Sequence, residues 1–340
     1  MAQTVRWQGR ERATARRRRH RQHQRCHAEL RPCHRRRAPS RRLAGAPARQ
    51  RPALSAALST RRRRAQALLG TLVDIDVQAP AHIAEPALQR AFARIADVHA
   101  AMSFHEPSSD LRRIARSAAG TVLRVSPDSH TVLALALQLE AGSDAAFNPC
   151  CAAALVDRGL LPRPDPVPPG LATSLAAGIE LLDDLQVRVC RPAWIDLGGM
   201  AKGYAVDVAV EALAAAGVAG GVVNAGGDLR CFGPQPLTVQ LRDPRQPGFA
   251  RPVAEISDLA CATSAWRLGE AEDRSAHLVC QDRRVEDNPL MSVTVFAPRC
   301  VFADALTKVV WQRGRAAAAL LRAHQAQAML WREHGEPQIL

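Results

Sequence analysis

The sequence predicts an α+β fold: a single large domain with mixed β-sheets and flanking helices. Three observations carry that expectation. The chain has 340 residues, 47% of them hydrophobic, enough to bury a sizeable core. Apolar residues recur at helical spacing in some segments and alternate with polar ones in others, so strands and helices follow one another along the chain. The proline-rich run 162–169 reads as a surface loop rather than a linker, because the same patterning continues on both sides of it.

Charge divides the chain unevenly. Residues 1–65 hold 21 arginines and no lysine against Glu11 and Glu29, which exceeds the +14 of the whole chain, so the remainder is net acidic. With few large apolar residues and no sustained period, residues 1–64 are expected to form a disordered arginine-rich extension, with the domain over 65–340. Nucleic-acid binding would rest on this arm alone, and no specific nucleic acid is expected as a partner. No run is long and apolar enough to cross a bilayer, so no transmembrane segment is expected. Arg41-Arg42 lacks the apolar core that follows an export signal, which leaves no legible signal peptide and the cytoplasm as default. The nine cysteines form no C-x-x-C pair, so neither a zinc site nor a disulfide framework is indicated.

In order, the second half of Leu68 to Val77 alternates apolar and acidic residues as a half-buried strand does, and Ile83 to Ala101, with Ala91, Ile95 and Val98 on one face, reads as an amphipathic helix. Residues 102–111 form a polar loop interrupted by Pro107. A short strand over 122–125 and a helix from about Asp128 to Ala141 follow, then a strand over 186–190. Trp194-Ile195 is a β-capable approach to a glycine pair and a helix that continues to about Ala216. Residues 221–230 read as strand, glycine turn and returning strand, with Asp228 expected to stabilise the turn through its own side chain. Strands near 237–241 and 292–297, a helix from Ala303, another over 315–325, and a strand near 327–331 complete the chain.

The strongest candidate site runs from Ile195 through Asp196, Gly198, Gly199 and Lys202 to Asp207. Paired glycines let backbone approach a ligand closely, and the free N–H groups of a helix start suit an anion. Lys202 would lie in the first helical turn, where a cation is unfavourable unless it meets a negative group. Neither the P-loop order nor G-x-G-x-x-G is present.

With Val223-Asn224-Ala225-Gly226-Gly227-Asp228, this stretch resembles the ApbE family, flavin transferases that move FMN from FAD onto a threonine of a target protein. Leu69-Gly70-Thr71, Met102-Ser103 followed by Pro107, Phe147-Asn148-Pro149, Ala262-Thr263-Ser264 and Ala303-Asp304-Ala305-Leu306 support the resemblance from roughly residue 65 to the end. It implies FAD as substrate, a magnesium ion, and an acceptor flavoprotein bearing a threonine target. By resemblance, Asp196 and Lys202 contact FAD, while Leu69, His105, Ala146, Phe147 and Asn148 line its pocket. The Gly199 carbonyl and Asp304, with Thr307, are implied as metal ligands, and His277 as the group that activates the threonine.

The chain departs from the family pattern in several places. His105 stands where the family usually has tyrosine, and Asn148 where aspartate is frequent. The family reads Asp-Ala-Leu-x-Thr, but Lys308 occupies the threonine position and Thr307 precedes it. Positions three and four residues on both lie beside the aspartate's helical face, leaving two alternatives: Thr307 reaches the ion, or Lys308 pairs with Asp304 and supplies the cation's charge. After His277, Cys280-Gln281-Asp282-Arg283-Arg284 replaces the family's Asp-Pro-Arg-Thr-Gly, where acceptor docking or FAD closure would differ. An FAD-binding protein without transferase activity is the alternative reading.

Overall fold

The computed structural model describes residues 4–7, 60–265 and 290–340. Its main sheet has eight strands in the order β14 (Gln338–Ile339), β13 (Gln327–Arg332), β12 (Leu290–Ala297), β11 (Ala260–Ala265), β8 (Asp228–Phe232), β7 (Gly221–Ala225), β3 (Thr71–Ala79) and β2 (Thr60–Leu68). Every pairing between these neighbours is antiparallel. Three helices cover one face: α1 (Ala81–Met102) over β2 and β3, α6 (Ala201–Ala215) over β7 and β8, and α7 (Cys300–Arg313) over β11 and β12. This is the α+β arrangement expected from the sequence.

The reason α1 forms is visible in its spacing. Ala84, Leu88, Ala91, Ile95, Val98 and Met102 recur every three or four residues, and all are buried against the core. Burial of side chains such as Leu88 and Ile95 stabilises the fold by roughly 1.5–3 kcal/mol each.

The opposite face of the sheet is covered as well. β1 (Thr4–Trp7), β10 (Gln246–Ser257) and β9 (Leu237–Asp243) form a three-stranded sheet whose Val239, Leu241, Val253 and Ile256 pack on Cys261, Phe296 and Trp331. Covered on both sides, β12 is buried at all but one of its eight positions, Ser292 and Thr294 included. Thr4–Trp7 falls in the stretch expected to lack structure, yet Trp7 packs edge-on to Phe296 and donates to the Gln327 side chain at 3.1 Å.

The arginine run Arg61 to Arg64, also assigned to the extension, lies inside β2. Arg61 and Arg63 make forked hydrogen bonds to Asp76 and Asp74 across the β2–β3 pair, which accounts for the acidic alternation of β3. The alternating second half of Leu68 to Val77 is a half-buried strand as expected, within β3, while Leu69-Gly70 is the turn of the β2–β3 hairpin, where φ is 56° and 69°.

Smaller elements complete the fold. They are α2 (Asp110–Ala115), α3 (Pro127–Gly142), α4 (Ala152–Asp157), α5 (Leu175–Gly178), and a sheet of β4 (Val122–Arg124), β6 (Gln186–Val189) and β5 (Ile179–Leu182). Ser109 and Ser126 cap α2 and α3 through their hydroxyls. Trp194-Ile195 is not a strand, and Asp196 is instead fixed by its N–H donating to the Pro149 carbonyl at 2.9 Å. The helix expected over 315–325 is a 3₁₀ turn followed by α8 (Ala318–Ala323).

Candidate active site

A cleft of about 790 Å³ opens where α1, α6 and α7 meet the ends of β8 and β11, a volume typical of small-molecule sites. Its lining unites Leu69, His105, Ala146, Phe147, Asn148, Asp196, Gly199 and Lys202, eight residues singled out from the sequence, with Asp228, Ser264, Lys308 and Gln312. His277 lies outside the described residues.

Four charged side chains form the floor. Lys202, the second residue of α6, reaches the carboxylate of Asp228 at 2.7 Å and that of Asp304 at 3.3 Å. Lys308, one turn beyond Asp304 on α7, ion-pairs with the other Asp304 oxygen and donates to the Asp304 carbonyl at 3.1 Å. Asp304 itself is fully buried and also accepts the Gly203 N–H at 3.3 Å.

The ionisations follow from this arrangement. Burial disfavours the charge of Lys202, but Asp304 and Asp228 outweigh it and hold the ammonium above its ordinary pKa. Burial likewise opposes ionisation of Asp304, yet the two lysines pull its pKa below the ordinary value. Asp228 is pushed up, first by burial and then by Asp304. Asp196 is raised by burial, against the Gly198 N–H, Lys202, His105 and Lys308.

This geometry changes two expectations. Asp228 does not stabilise the glycine turn; Asn224 does, accepting the Gly227 N–H at 2.9 Å, which frees Asp228 for Lys202. The helix start is also less open to an external anion than expected. The N–H groups of Met200 and Ala201 donate to the Leu197 carbonyl and that of Gly203 to Asp304, so the anion met there is the protein's own carboxylate.

The ApbE family model matches residues 69–331. The chain belongs to the ApbE family. Among curated relatives, the FAD:protein FMN transferase of Treponema pallidum (strain Nichols) is 28% identical over 295 residues, 76% of this chain and 81% of the relative. The FAD:protein FMN transferase of Vibrio cholerae is 26% identical over 257 residues, 70% of this chain and 77% of the relative. Of solved structures, the flavin transferase ApbE from Vibrio cholerae superposes with a TM-score of 0.67 at 21% identity, covering 83% of this chain and 97% of that one. The ApbE protein from Thermotoga maritima gives 0.65 at 21% identity, with 82% and 96% covered. At such identities these structures establish the ApbE fold.

The donors expected to hold magnesium in an ApbE protein do not fit that ion here. Both carboxylate oxygens of Asp304 are engaged by ammonium groups. Thr307 is fully buried and does not line the cleft; its hydroxyl donates to the Asp304 carbonyl at 2.6 Å and shares a 2.7 Å hydrogen bond with Ser264. The Lys308 stem lies against Gly199, since a Cβ placed there would stand 3.3 Å from Lys308 Cε. Among the described residues no group of three or more His, Cys, Asp or Glu side chains could hold a metal ion.

Asn148, expected to face FAD, spends its amide on the Thr173 carbonyl at 2.7 Å and its oxygen on the Cys150 N–H at 2.8 Å, so it shapes the cleft wall. Gln312 escaped the sequence reading, and Asp207, the end of the candidate stretch, has a contact that its position there does not show. Gln312 donates to the Ala146 carbonyl at 2.7 Å, and its spacing of four from Lys308 and eight from Asp304 was the available signal. Asp207 binds the start of α7 from within α6; no local pattern announces that contact.

Proposed function

We propose that this protein is an FAD:protein FMN transferase acting on a threonine of an acceptor flavoprotein. The observation that carries the reading is the family match over 69–331, whose widely separated motifs converge on one cleft of small-molecule size. The relatives named FAD:protein FMN transferase support the same activity.

In the reaction, the threonine Oγ attacks the phosphorus on the FMN side of the diphosphate. A phosphodiester P–O bond forms, the bond to the AMP phosphate breaks with its electron pair on AMP, and the hydroxyl proton is released to a base. His277 is the candidate for that base. Lys202 stabilises charge on the diphosphate, a task in which a fixed, partly desolvated cation needs no reorganisation. Leu69, Met102 and Phe104 offer apolar surface for the ring systems, and His105 a polar edge beside them. Asp196 and Gly198 form the tight turn that brings backbone to the cleft, with the Gly198 N–H donating to Asp196 at 3.1 Å.

The test is incubation of purified protein with FAD and a threonine-bearing flavoprotein acceptor, followed for covalent flavin fluorescence and released AMP. Stoichiometric transfer that vanishes when the acceptor threonine becomes alanine supports the reading. FAD bound with no transfer and no AMP would favour an FAD-binding protein without transferase activity.

A further inference from the structure

Lys308 bridges the two groups expected to share a magnesium ion: its stem lies against Gly199, and its ammonium pairs with Asp304. Lys202 takes the other Asp304 oxygen and Asp228, so two ammonium groups and two carboxylates balance to zero within the floor. A divalent cation at Asp304 would have to expel Lys308 or lie beside two like charges in a partly desolvated site. Both lysines nevertheless face the cleft, with side-chain exposures of 32% and 22%.

We propose that Lys308 takes the place of the divalent cation, so that this protein binds the diphosphate of its ligand between Lys202 and Lys308 without metal. Naming that ligand as FAD rests on the function proposed above. Asp304 then acts as the anchor that holds the two ammonium groups in place rather than as a metal ligand. Thr307 locks this face of α7 through Ser264 instead of turning toward the cleft.

The experiment compares FAD affinity, by flavin fluorescence and calorimetry, in excess EDTA and in millimolar magnesium chloride, with manganese binding followed separately by electron paramagnetic resonance. The wild-type affinity should agree within about threefold in the two buffers, with no tight manganese site. Lys308→Thr should lose about tenfold or more in EDTA, recover affinity with magnesium and gain a manganese site. Lys308→Arg, which keeps the charge if the threonine variant folds poorly, should remain insensitive to EDTA. A tenfold loss of wild-type affinity in EDTA, a tight manganese site in the wild type, or no FAD binding in either buffer would overturn the proposal. FMN transfer and AMP release measured on the same preparation judge the transferase reading separately: metal-free binding without transfer sinks that reading alone, and transfer with metal-dependent binding sinks this one alone.

Discussion

The carboxylate of Asp207 in α6 accepts the backbone N–H of Cys300 at 2.9 Å, and its second oxygen accepts that of Val301 at 3.0 Å. One buried side chain thus satisfies two of the orphan donors that begin α7, and its negative charge complements the positive end of that helix. Arg230 closes the arrangement at 2.9 Å. Asp304 follows one turn later, so the contact sets where the anchor of the cleft floor stands. Asp207→Ala leaves Arg230 and two N–H groups without this partner and is expected to destabilise the protein by about 3 kcal/mol or more. Asp207→Asn, which keeps one acceptor oxygen, should lose less. Chemical denaturation of both variants measures this, and a loss below about 1 kcal/mol for the alanine variant would contradict the role.

Gly203 is where α6 touches α7. A Cβ at this position would lie 2.3 Å from the Cys300 carbonyl oxygen, which is backbone and cannot rotate away. Gly203→Ala gains up to about 1 kcal/mol of helix propensity but loses about 3 kcal/mol through the clash. It should also separate Lys202 from Asp304. Gly142→Ala, at the end of α3 with only an ordinary 3.5 Å contact to Leu320, should be neutral or slightly stabilising. Equal thermal midpoints for the two variants would show that the close approach is unimportant.

What the sequence could reveal follows from how local each cause is. α1 was legible because its own periodicity is helical over more than 15 residues, and α6 because its alanine-rich sequence favours a helix although Gly203 to Val210 are all buried. The first turn of α7 was not: Arg299 at its N-cap position makes no side-chain cap, and the capping group is Asp207, far away in the chain. β11 reads Ala-Cys-Ala-Thr-Ser-Ala, without branched apolar or aromatic residues, because α7 packs closely over it. β10 was hidden by Pro252, which the strand accommodates at a shift of register against β9. In the site, the motif glycines and Lys202 were readable, whereas Asp228 was misassigned because Asn224 fulfils the local turn role. Only the fold reveals that Asp228 and Asp304 meet on the same ammonium.

Leu69 pairs a cost with a use. It adopts φ of 56° at the first position of the β2–β3 turn, a conformation that suits asparagine or glycine, and its side chain lines the cleft. Leu69→Asn should therefore raise stability by about 1 kcal/mol by relieving the left-handed strain. The same change removes apolar surface from the proposed flavin pocket, and FAD affinity should fall severalfold. A variant whose stability and affinity move in the same direction would show that Leu69 is not retained for binding.

Alkaline pH should unfold the protein through its cysteines. Burial pushes the Cys150 thiol up to about 12 and also raises Cys151, Cys231, Cys261 and Cys300, so these thiols stay protonated to higher pH in the fold than in the unfolded chain. In the unfolded chain the same thiols ionise near about 8.5. The unfolded state then binds fewer protons than the folded one, so stability falls as pH rises, by up to about 1.4 kcal/mol per pH unit for each thiol. The contribution is fully present below about pH 8.5 and, for Cys150, is lost progressively toward about 12. Lys202 and Tyr204 are also raised, but their unfolded counterparts titrate only near about 10, which leaves the thiols acting first. Urea denaturation under reducing conditions between pH 8 and 10 should show the decline, and Cys261→Ala should flatten it by one thiol's share whatever its effect on stability at pH 8. An unchanged slope in that variant would mean that the buried Cys261 thiol does not govern its portion of the alkaline transition.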